Sequence, residues 1–327
     1  MAANDPNPQR AESASSQAPA PWLEQPDIVR EVQVLRQQFS APDLSVPQVL
    51  CDQHPPTDAA FIVADPSLQL VPLRYGELAE RSRRLASALA ERGIGRGSRV
   101  GVLMAKGLQM PVVALALWRL GAVYVPLFTA FAGPSIALRV HAAQAALVVA
   151  DGDQRPKLDG IGVPVLESGA ALEQLIAGHA PLARDEAVGA DGIFLQLYTS
   201  GTTGAPKGVA VPAFAIASFI AYMRYGLDVQ ASDVLWNGAD PGWAYGLYYA
   251  LVGPLAVGRP NVLLAGGFSS EVAAGVMAQA GVTNFAWAPT VYRALKRDKV
   301  RLQQPLRRAS SAGEPLTPDI ADWAPEA

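Results

Sequence analysis

Short apolar strands alternating with helix-length amphipathic segments predict an α/β fold with mainly parallel sheets flanked by helices. The strand-like runs at residues 99–103, 122–126 and 146–151 are each followed or preceded by a stretch long enough for a helix, the pattern of strand–helix–strand units. The helical stretches keep an apolar stripe: Leu78, Leu85 and Leu89 recur at helical spacing within residues 75–92. No internal period is visible, which excludes a repeat architecture.

Residues 1–21, rich in Ala, Ser, Pro, Gln and Asn, read as a disordered tail. A helical lead-in follows over residues 22–46, with Val29, Val32, Val34 and Leu35 set among charges up to Phe39. The globular part spans residues 47–327. It opens with strands at 61–63 and 70–73, then the helix over 75–92, whose Arg81, Arg83 and Arg84 read as a solvated face. Gly93, Gly95 and Gly97 stop that helix. They are no dinucleotide fingerprint, because Ser98 stands at the third glycine position and the run follows a helix rather than a strand. Helices are predicted over 111–120, 134–144 and 170–177, and a strand over 163–165. The apolar stretch 108–128 holds Arg119 and then Gly121, so it reads as a buried helix followed by a strand, not a membrane span.

Composition narrows the function. The chain has 327 residues, half of them hydrophobic, enough for a large core. A net charge of −3 argues against a nucleic-acid surface. The lone cysteine, Cys51, cannot form an intrachain disulfide, and residues 1–21 lack the apolar core of a secretory signal. A soluble, cytoplasmic setting is expected. Oligomeric state is left open. His54, His141 and His179 are scattered singly and suggest no metal site.

The run from Leu197 to Val209 is the most informative. Thr199, Ser200, Thr202 and Thr203 are interleaved with Gly201 and Gly204, and Lys207 and Gly208 close it. Such a loop can turn N–H and O–H donors toward one anion while a lysine adds a point charge. Composition alone also allows a solvated linker, but apolar flanks at 193–195 and 209–211 read as strands leading in and out. The spacing is not that of the common P-loop, since Lys207 follows Pro206 and precedes Gly208.

This run resembles the signature loop of the adenylate-forming superfamily, which includes acyl-CoA synthetases, luciferases and peptide-synthetase adenylation domains. The resemblance implies that Thr199, Ser200, Gly201, Thr202, Thr203, Gly204 and Lys207 bind the phosphates of ATP. Asp240-Pro241-Gly242-Trp243-Ala244-Tyr245-Gly246 resembles a turn of the acetyl- and medium-chain acyl-CoA synthetase branch, and implies an acyl pocket at Trp243, Ala244 and Tyr245. An apolar slot selects tail length at about 0.8 kcal/mol per CH₂. Trp243 reads equally as a core aromatic. Gly313, Glu314 and Pro315, preceded by the similar segment 285–290, resemble the element that contacts adenine, although on composition alone they are a surface turn. No acidic residue lies between Trp243 and Gly258, where amino-acid adenylation domains hold the substrate amine. A small plain carboxylic acid is therefore the expected substrate. Arg293, Lys296, Arg297 and Lys299 form a basic cluster that would attract the phosphates of CoA or simply face solvent.

The resemblance implies an AMP-dependent carboxylate–CoA ligase using ATP, Mg²⁺ and CoA. It implies an acyl-adenylate with release of pyrophosphate, then acyl-CoA and AMP. Past Gly313–Pro315 the family's magnesium-linked Thr-Glu motif, ribose aspartate and mobile C-terminal domain with its catalytic lysine find no match. The expected fold is thus an incomplete large domain, without the small C-terminal domain. No catalytic residue or metal ligand is assigned. Losing one electrostatic group costs ~10²–10³ in rate, so the chain alone is expected to turn over poorly. The alternative is an inactive remnant that binds nucleotide or a partner.

Overall fold

The computed structural model of the chain describes residues 26–199 and 207–326. The strands in chain order begin β1 (Ala59–Ala64), β2 (Leu70–Arg74), β3 (Arg99–Leu103), β4 (Val123–Pro126), β5 (Leu147–Ala150) and β6 (Val165–Glu167). They continue β7 (Ile193–Thr199), β8 (Lys207–Pro212), β9 (Leu235–Asn237), β10 (Asn261–Leu264), β11 (Asn284–Trp287) and β12 (Arg308–Ser311). They form two six-stranded sheets, ordered β12-β11-β9-β10-β1-β2 and β6-β5-β3-β4-β7-β8. Each sheet is parallel apart from one antiparallel edge strand, β2 on β1 and β8 on β7. The α/β expectation with mainly parallel sheets is met.

The helices are α1 (Pro26–Gln38), α2 (Tyr75–Ala90), α3 (Gln109–Arg119), α4 (Gly133–Ala142) and α5 (Ala170–Gly178). After them come α6 (Ile216–Ala221), α7 (Ala244–Gly246), α8 (Gly253–Val257), α9 (Ser270–Ala280), α10 (Pro289–Arg297) and α11 (Pro318–Trp323). Every residue of α3 from Met110 to Arg119 is buried, as a helix apolar on all sides must be. The wider-turned segment Leu247–Val252 joins α7 to α8 in one helical stretch, closed by Gly258 in the left-handed conformation. No helix among the described residues is long and apolar enough to cross a membrane.

Arg119 is the exception within α3. Its guanidinium is fully buried, bonding Asp52 at 2.8 and 3.0 Å, Asp185 at 2.5 Å and Ser82 Oγ at 2.8 Å. A charge survives burial only with partners of this kind. The same network corrects the reading of α2 as carrying a solvated arginine face. Arg83 donates to Asp52 at 2.7 Å, Arg81 to Glu173 at 2.6 Å, and Arg84 to Glu80 and the His179 carbonyl. The carboxylates that receive Arg81 and Arg83 lie far away in sequence, so helical spacing could not reveal them. Cys51 lies beside this network, and burial pushes its thiol up to about 12, which makes it inert.

Candidate functional site

The carboxyl ends of β4 and β7 in one sheet and the turn after β9 in the other line one cavity, and strand carboxyl ends are the usual place for ligands in open α/β sheets. Thr199 ends β7 and Lys207 begins β8, and the antiparallel register sets the two abreast. The ends of the hydroxyl-rich run are thereby fixed side by side. Ser200, Gly201, Thr202, Thr203 and Gly204 lie outside the described residues. Thr199 and Lys207 are both exposed.

From the other sheet, the turn after β9 supplies the second wall. Asp240 Oδ1 accepts the Gly242 N–H at 2.7 Å, and its carbonyl accepts the Trp243 N–H at 3.1 Å, an Asx-type turn that starts α7. Gly246 is required there: a Cβ would sit 2.1 Å from the Asp240 carbonyl oxygen. Trp243 is 50% exposed, so it is no core aromatic. Its ring packs on Phe128 at 5.1 Å and Phe131 at 5.5 Å. Ala244 is exposed, and Tyr245 is half-buried against Tyr249 at 5.2 Å. Burial pushes the Tyr245 phenol up, and Tyr222 beside it adds to the shift.

One residue of the phosphate-loop run and two of the acyl group come together, while Lys207 and Tyr245 do not line the same cavity. Thr199, Trp243 and Ala244 line one cavity of about 210 Å³, with Pro126, Phe131 and Arg139. Arg139 stands 4.3 Å from the centre of the Phe131 ring, a cation–π contact that holds the aromatic wall. Gly313, Glu314 and Pro315 follow β12, at the same end of its sheet as Asp240, and all three are exposed. Gly313 adopts φ +111° with open space where a Cβ would be, and Glu314 receives Arg293 at 3.3 Å. At this end the buried Asn237 Nδ2 and Ser311 Oγ have no hydrogen-bond partner, while Ser310 Oγ lies against the Tyr245 phenol. Asn237, Ala286 and Ser310 stand in register across β9, β11 and β12. Free hydrogen-bonding capacity of this kind suits a polar ligand.

Three of the four residues of the basic cluster are paired with carboxylates. Besides Arg293, Lys296 pairs with Asp319 at 2.8 Å and Arg297 with Asp298 at 2.8 Å. Among the described residues, no three Asp, Glu, His or Cys side chains converge to hold a metal ion.

Sequence reasoning missed Lys106, Phe128 and Phe131. Lys106 Nζ donates to the Gly238 carbonyl at 2.8 Å and lies 5.2 Å from the centre of the Trp287 ring. Burial holds its ammonium below the usual lysine range, with Asp240 acting in the opposite direction. Burial likewise pushes Asp240 up, against the Gly242 N–H and Lys106. The available signal was a single cation within the apolar residues 100–108, just past a strand.

A profile described as "AMP-binding enzyme" matches residues 51–327. The acetyl-coenzyme A synthetase of Xanthomonas axonopodis pv. citri (strain 306) is 29% identical over 351 residues, covering 92% of this chain and 54% of the relative. The acetyl-coenzyme A synthetase of Bacillus subtilis (strain 168) is 30% identical over 270 residues, covering 76% and 47%. The crystal structure of Brucella canis acyl-CoA synthetase superposes with a TM-score of 0.83 at 33% identity, covering 92% of this chain and 58% of that one. The chain spans about half the length of the curated relatives it matches.

Proposed function

The chain belongs to the AMP-binding enzyme family, and from that membership we propose that it carries the nucleotide- and acid-binding part of an AMP-dependent carboxylate–CoA ligase. The observation that carries this reading is the cavity shared by Thr199, Trp243 and Ala244. It sets the start of the phosphate-loop run against the wall assigned to the acid, as direct attack of a carboxylate on a phosphate requires.

In this reading the run from Thr199 to Lys207 holds the ATP phosphates through its donors, and Lys207 offsets their charge. Gly313, Glu314 and Pro315 receive the adenine, and the unpartnered Asn237 and Ser311 atoms offer hydrogen bonds nearby. Trp243, Ala244 and Tyr245 line the acid's carbon chain. A plain carboxylic acid fits better than an amino acid, because no acidic residue lies between Trp243 and Gly258 to hold an amine. The carboxylate oxygen attacks the α-phosphorus, the bond to the β-phosphate bridging oxygen breaks, and pyrophosphate leaves. Magnesium would be held largely by the nucleotide's own phosphates, and no described residue is assigned to CoA. The single buried thiol suits a reducing, cytoplasmic setting.

Acyl-sulfamoyl adenosines, which join an adenosine to an acyl group, test the reading directly. Calorimetry should show the octanoyl or acetyl compound binding at least about a hundredfold more tightly than AMP, since it engages both halves of the site. Equal affinity for AMP and both compounds would sink the proposal.

A further inference from the structure

Lys106 follows β3 in one sheet, yet its contacts lie in the other. The ammonium donates to the Gly238 carbonyl after β9 at 2.8 Å and faces the Trp287 ring at the end of β11 at 5.2 Å. Gly238 is pressed onto that ring: a Cβ there would lie 2.1 Å from Trp287 Cε3. One side chain thus ties the segment after β3 to the ends of β9 and β11, and Gly238 stands five residues before Trp243. The charged and titratable groups around it are few. Asp240 faces Lys106, with its Oδ1 engaged by the Gly242 N–H at 2.7 Å, and the buried Tyr124 phenol lies near Asp240. Apart from Asp240, this half-buried ammonium has only a carbonyl and a ring as partners, and for stability an apolar side chain of that length would serve as well or better.

We infer that Lys106 is a positioning residue for the acid. By holding the Gly238 carbonyl against Trp287 it fixes the turn that presents Trp243 and Ala244, and so sets which acyl lengths the wall accepts. This rests on the acid-site reading above.

The test uses the 327-residue chain and its Lys106→Met, Lys106→Arg and Trp287→Phe variants. Tryptophan emission is followed from about pH 7 to about pH 11. Ionising tyrosines give a common step at about pH 10 in every variant. Beyond it, the unaltered chain should show a separate Lys106 step with its midpoint below the ordinary lysine value of about 10.4. The separate step should vanish in K106M and W287F and leave the pH range in K106R, whose guanidinium stays charged. In parallel, K106M with a cooperative melt should change the ratio of octanoyl- to acetyl-sulfamoyl adenosine affinities by about tenfold. K106R should bring the ratio back to within about threefold of the original. A separate emission step that persists in K106M, or an unchanged affinity ratio, overturns the inference. Where K106M fails to melt cooperatively, a separate step that persists in W287F or K106R overturns it. If the unaltered chain binds neither compound, the acid-site reading fails and the acid-positioning role falls with it, while the separate emission step still reports whether Lys106 lies against Trp287.

Discussion

Thr199 and Trp243 face the same cavity although one ends a strand of the second sheet and the other follows a strand of the first. The crevice between the sheets is therefore where phosphate and acid chemistry would meet, and Trp243 is its most exposed aromatic wall. Trp243→Ala removes a ring that is already half exposed, so the melting temperature should move by no more than about 2–4 °C. Affinity for octanoyl-sulfamoyl adenosine should fall about tenfold, or about 1.4 kcal/mol. Calorimetry and a thermal melt on the same preparation check both.

Lys207 is exposed and stands opposite Thr199. Lys207→Met should leave the melt unchanged and weaken ATP binding about tenfold, with the remaining affinity less sensitive to salt. Fluorescence titration with ATP at two salt concentrations measures it.

Arg119 joins Asp52, Asp185 and Ser82 from within the core, and Asp52 also receives Arg83. Arg119→Met leaves Asp52 and Asp185 without their shared guanidinium, and should cost about 3–5 kcal/mol. Urea denaturation gives the number. A loss under about 1 kcal/mol would mean that water already satisfies the carboxylates.

Arg307 clasps Asp228 at 2.8 Å and Asp233 at 2.9 Å, anchoring the entry to β12. Burial pushes the Asp233 carboxyl up, but Arg307, the Gln230 N–H and Thr283 together hold it below the usual carboxylate range. Arg307 is the main cause holding Asp228 low as well. Both groups bind a proton less readily folded than unfolded. Their stabilisation is therefore complete above the ordinary value of about 4 and is lost as pH falls from there through the depressed folded values. Arg307→Met should flatten this acid limb in pH-dependent melts. Near neutral pH it should cost about 1–2 kcal/mol, because the guanidinium is partly exposed.

Local signals in the sequence located most elements. The leucine spacing places α2, the apolar run places α3, and the flanks of the hydroxyl-rich run place β7 and β8. What the sequence hid was long-range. Nothing local says that β1 lies between β10 and β2, or that Arg83 and Arg119 share Asp52. Lys106 escaped notice for the same reason: its partners, Gly238 and Trp287, are brought to it only when the two sheets pack. Phe128 and Phe131 read as ordinary apolar residues until Trp243 is set against them.

The strand orders also bear on how the chain is made. All of β3 to β8 come from one continuous stretch, residues 99–212, so the second sheet can close as soon as that stretch has emerged from the ribosome. The first sheet cannot. Phe61 of β1 has Asn261 of β10 as its neighbour, roughly two hundred residues later, which at typical synthesis rates means about 10–40 s. During that interval the edge of β1 that faces β10 waits unpaired, although most of the core that receives Phe61 comes from residues 35–220 and is already made. Chaperone capture during synthesis should therefore fall on the β1–β2 hairpin, and slower translation between β8 and β10 should lower the soluble yield.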